Sequence, residues 1–214
     1  MEGSLRGLGG DPELRLIETF AGDAPEQRLA RHLTRMARGA ARLGWPFDAA
    51  RARAALDGTR SRTLRVRLTL DRTGDLRVES SALPPRSSLW RVAVASERLE
   101  SADPWLALKS TRRAPHERAR AGRAPGIDEV LLLNERGEVC EGGISTLFFD
   151  RGDGLRTPPV SCGLLPGVLR EELLSRGARE ELLLASELAS VRLWMGNSLR
   201  GLIPAELERA QPAR

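Results

Sequence analysis

The sequence predicts an α+β protein built from two lobes, on three observations. Between Leu29 and Leu43 the apolar residues step by three and four, the mark of an amphipathic helix. Leu64, Val66, Leu68 and Leu70 alternate strictly with polar residues, as in a half-buried strand. Between positions 97 and 108 there is no strong periodicity, and Pro104 interrupts the run. This stretch separates two regions of mixed strand and helix signals. The lobes are therefore expected at 1–102, a small and shortened N-terminal lobe, and at 103–214, a larger C-terminal lobe.

At 214 residues and 41% hydrophobic content the chain can bury a sizeable core. It contains no run of eighteen apolar residues, so no membrane span is expected. Its first residues lack the apolar stretch of a signal peptide. Two cysteines, Cys140 and Cys162, suggest no disulfide framework and point to a reducing, cytoplasmic setting. The net charge is +5, but 34 basic residues are interleaved with 29 acidic ones along the whole chain. Aromatic content is 4% with no Tyr, poor material for stacking bases. Nucleic acid is therefore not the expected partner, and small anionic ligands are.

The elements follow in order. Residues 1–12 are Gly-rich and read as loose. Leu14, Leu16 and Glu18 alternate with Arg15, Ile17 and Thr19 in a short strand that ends at Phe20. The turn Gly22-Asp23-Ala24-Pro25 leads to the helix whose stripe is Leu29, Leu33, Met36, Ala40 and Leu43, stopped by Gly44 and Pro46. His32, Arg35 and Gly39 share a neighbouring face. Asp48 caps a second, Ala-rich helix that ends at Asp57-Gly58. The strand 64–70 turns through Asp71–Asp75 into a partner with Leu76 and Val78, broken by Pro84-Pro85. Trp90, Val92 and Val94 make a third strand.

In the second lobe a basic helix spans roughly Pro115–Ala121. Glu129–Leu133 reads as a buried strand with a hairpin turn at Asn134–Gly137. Further strands are expected at Leu147–Phe149, Leu155–Thr157 and Leu193–Met195. A loop at Gly163–Gly167 feeds a helix that runs to Ser175 and stops at Gly177. A short helix starts at Ser186, and residues 211–214 read as frayed.

Lys109 is the single lysine among the 34 basic residues. Arginine stays protonated and makes no useful Schiff base, whereas a desolvated lysine amine can be neutral near pH 7 and attack a carbonyl. A chain that has otherwise replaced lysine by arginine has a chemical reason to keep one. The plain alternative is a leftover surface lysine, since most lysines are solvated.

The flanking motifs decide between these. In order they are His32-Leu33-Thr34-Arg35-Met36 after Glu18-Thr19, then Lys109-Ser110-Thr111-Arg112-Arg113, then Asn134 to Glu141 leading to Ser145-Thr146-Leu147-Phe148. Thr157-Pro158-Pro159 and Gly163 to Arg170 follow, and Asn197-Ser198-Leu199-Arg200-Gly201 closes the set. This ordered set resembles the class IV, or fold type IV, pyridoxal-phosphate-dependent aminotransferases, and most of all the 4-amino-4-deoxychorismate lyases among them. The resemblance covers about residues 14–205.

The resemblance implies two α/β lobes with pyridoxal 5'-phosphate in the cleft between them. It implies that Lys109 carries the cofactor as a Schiff base and then moves the substrate proton. Glu141 matches the glutamate that pairs with the pyridine nitrogen. Arg35, the main-chain amides of Val168 and Leu169 where Gly167 opens a helix, and Ser198 match the phosphate ligands. Arg113, and more weakly Thr19, match positions for the substrate carboxylates. Thr146 stands where many relatives have Asn, and His116 where many lyase relatives have Tyr; His116 reads by itself as a solvated helix residue. The segment before Glu18-Thr19 lacks the opening strands and the Gly-Asp-Gly approach usual in the family. No metal site is expected.

The activity implied is elimination of pyruvate from aminodeoxychorismate to give 4-aminobenzoate, a step of folate biosynthesis, by a homodimer working with an aminodeoxychorismate synthase. The alternatives are transamination of a D-amino or branched-chain acid on the same fold and, more distantly, an Arg-rich nucleic-acid-binding protein.

Overall fold

The structure is a computed structural model that describes Leu5 and residues 11–208. The segments expected to be loose, 1–12 and 211–214, fall almost wholly outside these residues. The chain divides into two compact units, Met1–Pro85 with Leu108–Arg112 and Arg86–Ala107 with Arg113–Arg214.

The first unit contains β1 (Leu16–Ala21), α1 (Glu26–Leu43), α2 (Ala49–Ala55), β2 (Leu64–Leu70) and β3 (Leu76–Ala82). The strands form an antiparallel sheet in the order β1-β2-β3. Leu16 lies opposite Leu70, and Phe20 opposite Val66. Val66, Leu68 and Leu70 are fully buried, as their alternation requires. All five residues of the α1 stripe are buried, and so are His32 and Gly39 beside them. Burying each large apolar side chain stabilises the unit by roughly 1.5–3 kcal/mol. Gly39 lets α1 approach β1 closely, because a Cβ there would meet both Leu16 methyls at 3.2 Å. Asp48 caps α2 by accepting from the Ala50 and Arg51 amides at 2.8 and 3.1 Å. That helix stops at Ala55, before the expected Asp57-Gly58.

Leu108–Arg112 joins this unit through the backbone. The Ile17 amide donates to the Lys109 carbonyl at 2.8 Å, and the Thr111 amide to the Arg15 carbonyl at 2.9 Å. Leu16 and Ser110 are thus antiparallel neighbours on the edge of β1 that β2 leaves open.

The second unit contains β4 (Trp90–Leu99), α3 (Ala114–Ala121), β5 (Glu129–Asn134), β6 (Val139–Gly142), β7 (Thr146–Asp150), β8 (Leu155–Thr157), α4 (Val168–Leu174), β9 (Arg179–Glu180), β10 (Arg192–Asn197) and β11 (Gly201–Leu207). One sheet runs in the order β6-β5-β4-β11-β10-β7-β8-β9. It carries apolar clusters on both faces. Leu131, Leu133, Val139, Phe149 and Met195 belong to one, and Val130, Leu132, Cys140 and Leu164 to the other. That explains why β5 reads as a continuous apolar run rather than an alternating one. β11 has no clean sequence signal, because Pro204 argues against a strand within a sheet. It is tolerated because the ladder to β4 begins at Ala205, just past the proline.

This division differs from the expected 1–102 and 103–214. β4, expected in the first lobe, pairs in parallel with β5 and β11 and lies in the second unit. Lys109, expected in the second lobe, pairs with β1 and lies in the first. Among the described residues no helix is long and apolar enough to cross a membrane.

The β5–β6 ladder has an irregularity that positions a site residue. Leu132 lies opposite Glu141 and Leu133 opposite Val139, so Cys140 is an extra residue in β6. Such a bulge puts two successive side chains on one face. Cys140 packs with Leu132, and Glu141, directly opposite Leu132, shares that face.

Candidate active site

In the first unit, Glu18 projects from β1 toward α1 and is 1% exposed. His32 Nδ1 lies 2.5 Å from its Oε2. Arg35 donates from Nε to Oε1 at 2.9 Å and from a terminal nitrogen to Oε2 at 2.6 Å. Burial alone would raise the Glu18 pKa; the Arg35 charge, and then His32, overcome it and hold the carboxyl at about 2. Burial pushes the His32 imidazole down, so the ring stays neutral, and the Lys109 charge adds a little to that push. Nδ1–H then donates to Glu18, and Nε2 is buried with no partner among the described residues. The periodicity of α1 placed His32 and Arg35 on a neighbouring face, and the structure buries His32 completely.

Successive strand residues face opposite sides. Lys109 lies opposite Ile17, so it shares the face of Ile17 and Thr19, while Leu108 and Ser110 share that of Leu16. The structure therefore brings Thr19 and Lys109 to one side of β1. The Arg35 fork is engaged by Glu18. The Lys109 side chain is half-buried.

In the second unit, α3 turns His116 and Ala119, three residues apart, toward the sheet. His116 Nε2 lies 2.9 Å from Glu141 Oε1, and the Leu165 amide donates to Oε2 at 3.3 Å. Both residues are buried, so the expected solvated character of His116 is corrected. Arg113 donates to the Gly143 carbonyl just beyond Glu141. Burial disfavours its charge, and Glu141 and Glu117 favour it.

Glu129, unremarked in the sequence, is also buried. Its Oε2 accepts from the Ser145 hydroxyl at 2.7 Å and from the Ile144 amide at 3.1 Å, pinning the loop after Glu141. An acidic residue opening an otherwise apolar strand was the available signal.

The expected phosphate elements meet at the start of α4. Gly167 is its N-cap and offers no capping side chain, and Val168 and Leu169 behind it are buried. The first amides of a helix have no partner within the helix. A Cβ on Gly167 would come within 2.9 Å of Thr146 Oγ1, and one on Gly196 within 2.9 Å of a Leu169 methyl. Asn197 Oδ1 accepts from the Leu199 and Arg200 amides, and its Nδ2 donates to the Ile144 carbonyl at 3.1 Å. That shapes the turn carrying the buried Ser198. Within the second unit, an uncapped helix start with no side chain in the way and a buried carboxylate with acceptor capacity left are groups that fit pyridoxal phosphate; the first unit by itself offers a half-buried lysine. Among the described residues no cluster of His, Cys, Asp and Glu could hold a metal ion.

Residues 16–207 match the model of the class IV amino-transferases. A Schizosaccharomyces pombe protein provisionally named as an aminodeoxychorismate lyase is 30% identical over 179 residues, 79% of this chain and 77% of the relative. The crystal structure of a Mesorhizobium loti protein provisionally described as an amino-acid aminotransferase is 44% identical with a TM-score of 0.84, covering 91% of this chain and 100% of that one. The structure of 4-amino-4-deoxychorismate lyase from Pseudomonas aeruginosa is 26% identical with a TM-score of 0.77, covering 90% and 82%. The ordered motifs, the fold and a family match across most of the length converge: the chain belongs to the class IV aminotransferases, a family of pyridoxal-phosphate-dependent lyases and aminotransferases with the type IV fold.

Proposed function

We propose that the chain is a pyridoxal-phosphate-dependent 4-amino-4-deoxychorismate lyase, releasing pyruvate and leaving 4-aminobenzoate. The observation that carries the reading is Lys109, the single lysine, held through its backbone against β1 on the face it shares with Thr19. Likeness to lyases over most of the chain supports elimination over transfer.

Lys109 would hold the cofactor through Nζ, and its amine would serve as the base for the proton on the amine-bearing carbon of the substrate. The bound cofactor supplies a sink for the electron pair left on that carbon. Glu141 keeps the pyridine nitrogen protonated. The Val168 and Leu169 amides, Ser198 and Arg35 bind the phosphate dianion. Arg113 and Thr19 meet the substrate carboxylates. Elimination of the enolpyruvyl group as pyruvate makes the ring aromatic, so these residues chiefly orient the substrate. A homodimer, a cytoplasmic location and a synthase partner that supplies this small anionic substrate belong to the same proposal.

A second reading, transamination of a D-amino or branched-chain acid, is favoured by the 44% identity to the Mesorhizobium loti protein. One experiment separates them. The protein is mixed with pyridoxal phosphate, its visible spectrum is recorded before and after borohydride, and pyruvate release is followed without a keto acid. A yellow species locked by borohydride onto the Lys109 peptide, with pyruvate released from one substrate, is expected. Turnover only when a keto acid is added selects the aminotransferase. A protein that never takes up cofactor defeats both readings.

A further inference from the structure

We infer that His116 is a positioning residue for Glu141, a neutral hydrogen-bond donor that fixes the carboxylate without cancelling its charge. The inference rests on the assignment of Glu141 to the cofactor's ring nitrogen proposed above.

Three independent features place the pair together. The Cys140 bulge turns Glu141 to the face of the sheet that carries Leu132 and Cys140. Ala119 of α3 packs into the same cluster, which seats that helix on this face. Within α3, His116 and Ala119 are the buried residues, while Glu117 and Arg118 are exposed. His116 is thus the polar side chain that the helix turns inward, and Glu141 is what it meets, at 2.9 Å.

The chemistry of the contact sets its role. A carboxylate only accepts, so His116 Nε2 carries the proton of this bond. His116 Nδ1 is buried with no partner among the described residues. A bare lone pair there costs less than an orphaned N–H on a buried imidazolium. The ring is therefore the neutral Nε2–H tautomer. With the Leu165 amide on the other oxygen, each Glu141 oxygen is held by a neutral donor. Neither of these two donors competes for the carboxylate's charge, which the nearby Arg113 guanidinium also feels, and the carboxylate keeps spare acceptor capacity; both properties are needed to hold a protonated ring nitrogen. An arginine at position 116 would orient Glu141 equally well but would compete for its charge.

The test compares wild type with His116→Gln, His116→Leu and His116→Arg. It measures the pyridoxal phosphate dissociation constant by absorbance titration, kcat and KM separately, and the melting temperature of the cofactor-free protein. His116→Leu is expected to weaken pyridoxal phosphate about tenfold, the scale of one hydrogen bond to a charged group, and to lower kcat more than it raises KM. His116→Gln, a neutral donor, recovers most of both. His116→Arg weakens the cofactor at least as much as Leu. Equal cofactor affinity in Gln and Leu variants overturns the donor role, even if both melt lower. Wild-type affinity in His116→Arg overturns the requirement for neutrality. Wild-type protein that takes up no cofactor defeats the Glu141 assignment itself, and with it this inference; that result is read before any variant is made.

Discussion

Glu18 and Arg35 meet in a two-pronged ion pair, at 2.9 and 2.6 Å, on a carboxylate that is 1% exposed. Glu18 titrates at about 2 in the folded unit against an ordinary 4.5. A depressed carboxylate contributes its stability fully above the unfolded value and loses it as pH falls toward the folded one. The window is therefore pH 4.5 down to about 2, and the contribution is roughly 3 kcal/mol. Glu18→Gln should cost about 3–5 kcal/mol at pH 7, since it leaves Arg35 buried without its carboxylate. Urea unfolding should show the gap to wild type closing below pH 4.5. A gap independent of pH would show that the pair does not carry this stability.

His32 acts at higher pH. Its folded pKa lies below 6.5, so the unfolded chain takes up a proton there while the folded unit does not. Its contribution is complete above pH 6.5 and declines as pH falls below that value, by about 1.4 kcal/mol per pH unit for one proton. His32→Asn should flatten the wild-type decline just below pH 6.5. Parallel stability curves for the two proteins would contradict the neutral, buried ring.

Lys109→Arg keeps the positive charge and the backbone bonds to β1 but makes no useful Schiff base. Borohydride labelling should vanish, turnover should fall by about 10²–10⁴-fold, and the melting temperature should hold. Retained labelling would move the nucleophile elsewhere.

At the start of α4, Gly167→Ala drives a methyl to within 2.9 Å of Thr146 Oγ1 and displaces the amides behind it. Affinity for pyridoxal phosphate should fall about tenfold or more, while affinity for pyridoxal, which lacks the phosphate, barely changes. Adding Thr146→Ala to the same chain should restore part of the loss. Equal losses for both ligands would place the phosphate elsewhere.

Gly39→Val crowds Leu16, which abuts the Lys109 segment. It should destabilise the first unit by about 1–3 kcal/mol, read by chemical unfolding. An unchanged midpoint would mean that α1 can move away from β1 without cost.

The sequence by itself determined most of the local elements and the family to which the chain belongs. The stripe from Leu29 to Leu43, the alternation from Leu64 to Leu70 and the turn at Asn134–Gly137 are encoded by short-range spacing, and all appear in the structure. A single lysine in an arginine-rich chain marked position 109 without any coordinates. Tertiary structure alone decided which strand each segment joins, because pairing links residues far apart in the chain. It gave the Lys109 segment to β1 and Trp90–Leu99 to the second sheet. It also decided what Glu141 and His116 touch. An alternating pattern carries no sign of the extra residue at Cys140, yet that residue selects the face on which Glu141 emerges and hence its neighbour. Likewise a histidine among arginines on a short helix looks solvated until the packing of Ala119 fixes which side of α3 is turned inward.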